Sequence, residues 1–214
     1  MSSVESLVFY LVFIGAMALF LRNVYRLFAM MCLGRAENRF DHLWSRFKGM
    51  LVYAFAQVRV VSEKFGINHF FLFWGFMVLA LTNLEFLLSG LFPRFSFDFL
   101  GGIPYGIILF MADIMSLVVL GCVIIAVVRR IFYRPAHIEA SFEAFFILSL
   151  VAVLMVAYFG LHACDIRLNE AEMTSWTPVS YAVFTFFAGV PASTVHVLAR
   201  VFWWVHALVL LFFL

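Results

Sequence analysis

The sequence predicts an all-α integral membrane protein: a bundle of about five transmembrane helices with its N-terminus outside, plus cytoplasmic and outer interfacial helices. Three observations predict it. Of the 214 residues, 66% are hydrophobic and only 12% are charged, whereas a soluble domain is about half apolar and about a quarter charged. One water-soluble core cannot hide that much apolar surface, so the excess faces lipid. Five stretches reach the roughly 20 mostly apolar residues that a span requires. Basic residues crowd alternate connections between those stretches.

The first span covers about Leu7–Met31 and is interrupted late by Arg22 and Arg26. Glu5 precedes it and basic residues follow it, so it reads as a retained signal-anchor rather than a cleaved signal peptide. The next spans are His69–Leu91, Tyr105–Val128, Phe142–Leu161 and Ser193–Leu214. Between the first two, Arg35–Gly66 is polar, yet Leu43, Phe47, Met50, Leu51 and Ala54 recur at three- and four-residue spacing. That pattern predicts one or two helices lying at the cytoplasmic surface or extending span two. They serve as a membrane anchor or as the dock for a soluble partner. After span four, Thr177-Pro178 has the form of an N-cap followed by proline at the first helical position. A short apolar helix over Val179–Ala188 follows, in the outer interface or covering a pocket there, and Gly189 and Pro191 end it. There is no internal repeat, and the whole of 1–214 reads as one transmembrane domain.

Charge sets the orientation. Arg22, Arg26, Arg35, Arg39, Arg46, Lys48, Arg59 and Lys64 lie late in span one or before span two, and Arg129, Arg130 and Arg134 lie between spans three and four. The opposite connections hold Arg94 and Arg167. The positive-inside rule makes the first set cytoplasmic. The expected location is therefore a cytoplasmic (inner) membrane, with several passes and the N-terminus outside. A net charge of +2 gives no reason to expect a nucleic-acid partner. Cys32, Cys122 and Cys164 are scattered and form no C-x-x-C, so no iron-sulfur cluster is expected within these residues. No C-x-x-C-H offers a covalent haem attachment either.

Ionisable side chains inside a span are costly and mark candidate sites. Here they are His69, Glu85, Asp113, His162, His196, Arg200 and His206. Neutral imidazole is a good axial ligand for haem iron, and a helix bundle holds such a group between two facing helices. The plainer alternative for each histidine is an interhelical hydrogen bond. His206 lies about 20 Å along span five from its outer end, at about 1.5 Å per residue. His69 pairs with it only if span two begins deeper than drawn, and His162 pairs with it only through a tilt. His196 and His206 point about 80° apart and differ by about 15 Å in height, so they cannot share one iron. They could serve two haems, or a haem and a quinone. His196 and Arg200 share a face and suit a haem propionate or a quinone carbonyl; the plainer alternative is an arginine reaching the outer headgroups. Glu85 and Asp113 fall in the outer halves of their spans and are candidate proton carriers, against the alternative of helix-to-helix hydrogen bonds. His42 and His137 read as solvated loop residues.

Two stretches carry a family resemblance. One is His69-Phe70-Phe71-Leu72-Phe73-Trp74-Gly75-Phe76, preceded by Gln57-Val58-Arg59-Val60; the other is Phe202-Trp203-Trp204-Val205-His206. They resemble the membrane cytochrome b domain of the nitrate reductase gamma-subunit superfamily. The branch they are similar to is fused or paired with cysteine-rich iron-sulfur reductases: heterodisulfide-reductase-like proteins, membrane subunits of sulfite-reduction complexes and electron-transfer-flavoprotein:menaquinone oxidoreductases. The resemblance implies a prokaryotic respiratory-chain component carrying one or two haems b. It would pass electrons between menaquinone and a cytoplasmic iron-sulfur domain or subunit, possible donors including an electron-transfer flavoprotein. It places His69 as the cytoplasmic-side haem ligand and His206 as a ligand of the outer haem. Two departures follow. The second span-five histidine of that family would fall beyond Leu214, so the chain is expected to be the N-terminal part of a longer one. The further span-two histidine is Leu79 here, which leaves His162 as the candidate partner of His206. The resemblance favours flow from the soluble donor to menaquinone, although the same parts allow the reverse.

Two other classes compete. A small transporter is disfavoured by the lack of repeated halves and of paired Gly/Pro-interrupted spans. A cofactor-free anchor or scaffold would make the histidines incidental. Bound haem separates the first reading from both.

Overall fold

The computed structural model describes residues 3–35, 37, 40–133, 141–169 and 175–214. Arg39, Arg134 and His137 lie outside them. Among the described residues all regular structure is helical, and five helices are long and apolar enough to cross a membrane. These are α1 (Ser3–Met31), α4 (Gly66–Leu91), α5 (Gly102–Phe132), α6 (Phe142–Asn169) and α8 (Ala192–Phe212). The chain divides into an N-terminal unit ending at Phe70 and a second unit, Phe71–Phe213.

In the N-terminal unit, α1 is followed by α2 (Leu43–Met50), a π-helical turn (Leu51–Phe55) and α3 (Val58–Val61). The polar stretch thus forms short helices, as its periodicity predicts. Two non-glycine residues with positive φ stand at the starts of α2 and α3, His42 at 48° and Gln57 at 49°. The α2 face is exposed: Trp44 stacks on Phe47, and the Lys48 ammonium lies 5.2 Å from the Trp44 ring centre. Gly66 opens α4 where the Val60 carbonyl occupies the place of a side chain, so no larger residue fits.

The second unit is built around α6, which packs on α8, α7 (Pro178–Phe184) and α5. Its core joins Leu79 of α4, Ala112 and Val119 of α5 and Met155, Tyr158 and Phe159 of α6. In lipid the hydrophobic effect does not press helices together, so close packing does, and small residues permit it. Gly75 makes room for Val119, Gly106 for the Trp176 ring and Gly160 for the Phe202 ring.

The elements extend beyond the apolar windows. The helix drawn to Leu161 runs to Asn169. Its backbone ladder does not stop where charge begins, and Ala163, Cys164 and Ile166 of the added turns are buried. Conversely, the helix expected over Val179–Ala188 ends at Phe184. Phe186 and Phe187 bond back three residues instead of four, tightening the chain into turns. Thr177 and Ser180 at the start of α7 are fully buried.

Candidate functional site

A cavity of about 340 Å³ opens within the second unit. The helix α4 contributes Thr82, Asn83, Glu85, Phe86 and Ser89; α5 contributes Tyr105 and Leu109; α6 contributes Tyr158, Leu161, His162 and Asp165; α8 contributes Trp203 and His206. Phe95 and Ser96 of the α4–α5 connection complete it. The wall is half aromatic and aliphatic, with polar groups at intervals, which is the usual make-up of a ligand site.

Two imidazoles from different helices face this cavity. His162 lies one turn after Tyr158, and its Nδ1 bonds the Tyr158 carbonyl at 2.9 Å. The Nδ1–H donates there, which leaves the Nε2 lone pair. His206 is 3% exposed, and its Nε2 lies 3.1 Å from Asn83 Oδ1. Its ring meets Phe86 at 4.5 Å between centres. The His206 Nδ1 is buried and has no partner among the described residues. The Tyr158 hydroxyl, 4% exposed on the same wall, is likewise buried and unpaired there. Each histidine thus has one nitrogen tied to an oxygen acceptor, and the other nitrogen of His206 is sealed from the cavity.

Glu85 lines the same cavity. Its Oε1 accepts from the Ser96 hydroxyl at 2.8 Å, the Phe97 N–H at 2.7 Å and the Tyr105 hydroxyl at 3.0 Å. One carboxylate oxygen therefore gathers the α4–α5 connection, including its 3₁₀ turn Phe97–Leu100 and the first turns of α5.

The other predicted residues go elsewhere. Asp113 is fully buried in α5 but does not line the cavity. Its carboxylate receives the Val179 N–H at 2.6 Å and the Ser180 hydroxyl at 2.6 Å, with the Ser180 N–H at 3.2 Å. Thr177 and Pro178 do occupy the predicted cap positions, but the Thr177 side chain makes no capping bond to α7. Asp113 performs that task from another helix. His196 and Arg200 are exposed on α8 and do not line the cavity. His69 belongs to the N-terminal unit, exposed in the first turn of α4. Leu79 is buried in the apolar core and does not line the cavity.

Sequence reasoning missed Asn83, Tyr105, Tyr158 and Asp165. Asp165 and Tyr158 stand three and four residues from His162, the spacing of one helix face. Extending α6 past Leu161 would have shown the first of them. Nothing in the spacing announces Asn83 or Tyr105, because their neighbours come from distant parts of the chain.

No family model matches the sequence, and no solved structure matches it. Curated proteins do. The chain is 25% identical over 211 residues to the "Probable iron-sulfur-binding oxidoreductase FadF" of Bacillus subtilis (strain 168), covering 98% of this chain and 30% of that protein. It is 26% identical over 217 residues to the "EtfAB:quinone oxidoreductase" of Syntrophomonas wolfei subsp. wolfei, covering 96% of this chain and 30% of that protein. The chain is therefore similar, over nearly its whole length, to about a third of each of two proteins named as oxidoreductases.

Proposed function

We propose that this chain is the membrane part of an electron-transfer oxidoreductase, linking a menaquinone pool to an iron-sulfur partner fed by a flavoprotein. The observation that carries this reading is the convergence of His162 and His206, from α6 and α8, on one cavity that Glu85 also lines. The names of the two relatives supply the iron-sulfur, flavoprotein and quinone links. The basic connections favour an N-terminus outside, and the resemblance noted above implies a partner on the cytoplasmic side.

On this reading His162 and His206 hold a haem b, and His69 is a ligand of a second one. A bound haem supplies a one-electron carrier between a two-electron quinone and the partner. The chain's own residues do the rest. Phe86, Trp203 and Leu161 keep the cavity apolar around the imidazoles. Glu85, open to the cavity, exchanges the protons that accompany quinone reduction or quinol oxidation. The resemblance noted above favours flow toward the quinone.

The test is a reduced-minus-oxidised absorption spectrum of the detergent-purified full-length protein. A b-type band is expected, reduced in His206→Ala and in His162→Ala and separately reduced in His69→Ala. A well-folded wild type with no such band sinks the haem reading and leaves the scaffold and transporter classes standing.

A further inference from the structure

Thr82, Glu85, Phe86 and Ser89 line the cavity from α4, spaced by three and four residues on one helix face. Polar groups in line on a membrane-spanning helix are costly unless something meets them. The hydroxyl protons on this side of the cavity are already committed. Thr82 Oγ1 donates to the Leu79 carbonyl at 3.1 Å, and Ser89 Oγ to the Phe86 carbonyl at 2.8 Å. The Ser96 and Tyr105 hydroxyls both donate to Glu85 Oε1, which also receives the Phe97 N–H. The Phe95 N–H bonds the Phe92 carbonyl at 2.8 Å. A carbonyl oxygen only accepts, and a carboxylate oxygen holding three donors accepts likewise, so these hydroxyls have no proton left to offer. What they keep is lone pairs. Glu85 adds more of them: its Oε2 makes no hydrogen bond among the described residues and, unlike the Tyr158 hydroxyl, is not a sealed orphan. Two side chains that can donate belong to the His206 side instead. Asn83 bonds His206, and Trp203 stands three residues before it on α8.

A ligand seated against the α4–α5 side must therefore bring its own donors. We propose that this side of the cavity selects the reduced form of a quinone: the quinol O–H donates to Glu85 Oε2, among the lone pairs of Thr82, Ser89 and Tyr105. A quinone carbonyl would meet only other acceptors there, and an acceptor that loses water without gaining a donor is penalised. Glu85 is the specificity-determining residue. This rests on the quinone part of the reading above and uses neither imidazole nor haem.

The full-length protein in detergent is titrated calorimetrically with three probes on one ring system. Naphthol carries a donor, methoxynaphthalene has the same oxygen without its hydrogen, and naphthoquinone carries carbonyls. Naphthol is expected to bind about 10- to 100-fold more tightly than either of the others, the contribution of a hydrogen bond to a charged acceptor. Glu85→Gln turns an amide that can donate toward the ligand. It should erase the preference for naphthol over naphthoquinone, which mere loss of packing would not do selectively. A wild type that holds naphthoquinone as tightly as naphthol overturns this inference and leaves the quinone reading standing. A wild type that binds none of the three overturns both. An unchanged preference in Glu85→Gln removes Glu85 from the role. If that variant does not fold, equal affinities of the wild type for naphthol and methoxynaphthalene overturn the inference.

Discussion

The Ser180 hydroxyl donates to Asp113 Oδ1 at 2.6 Å, and both residues are fully buried. With the Val179 N–H on Oδ2, this makes Asp113 the cap of α7, supplied from the middle of α5. A helix start needs acceptors for its free N–H groups, and the Asp113 carboxyl oxygens supply them for α7.

Asp113→Asn keeps the shape but replaces one acceptor oxygen by a donor. It should cost about 1–3 kcal/mol, the range for leaving a buried donor unsatisfied. Ser180→Ala should cost less, and the double variant should fall short of the sum, because the two share one interaction. Thermal unfolding in detergent, followed by fluorescence that includes Trp176 beside Gly106, measures this. Additive losses would mean that the pair is not the unit that holds α7.

Glu85 ties together Ser96, Phe97 and Tyr105. Glu85→Gln retains an amide oxygen for those donors but cannot carry a proton. The fold and any haem band should persist, while quinone-linked turnover falls by about 10²-fold, the lower end of what a proton-transfer group contributes. Glu85→Ala should in addition expose the connection to protease. Unchanged turnover in Glu85→Gln would remove Glu85 from the proton path and leave it a structural residue.

Gly160 is where the Phe202 ring enters α6. A Cβ there would lie 2.5 Å from the ring, well inside contact distance. Gly160→Val should therefore destabilise the protein by about 1–3 kcal/mol through overpacking. If the proposed haem is bound, the same variant should also weaken its b-type band, since His162 and His206 follow this contact by two and four residues. Adding Phe202→Leu should recover part of both losses. A Gly160→Val protein with the wild-type melting temperature would contradict the close α6–α8 approach.

Cys32 follows α1 and is exposed, whereas Cys122 and Cys164 are buried. Cys32 also lies beside the basic stretch assigned to the cytoplasm. A membrane-impermeant maleimide should label it in inside-out vesicles and spare it in right-side-out ones, with Cys32→Ser abolishing the signal. Labelling from the other side would reverse the proposed topology.

What the sequence determined by itself was the one-dimensional part. The five long helices follow from apolar length, and the short helices after His42 follow from periodicity, because both depend on neighbours within about 20 residues. The charge asymmetry from which an orientation is expected is also written there, and the maleimide experiment tests it. The histidines were visible as costly residues in apolar surroundings, and His206 and His162 do share a cavity. The tertiary structure alone decided what each polar group meets. Asp113 read equally as a proton carrier or a helix-to-helix bonding group in the sequence, and only the return of α7 across α5 shows which groups its carboxylate meets. Asn83 was one polar residue among many in an apolar helix until α8 brought His206 to it across 123 positions of chain. Glu85 found its donors 11 to 20 residues away, beyond a helix end. A buried hydrogen bond is a short-range, directional contact between groups whose separation along the chain carries no signal, so helix packing determines it and local pattern does not.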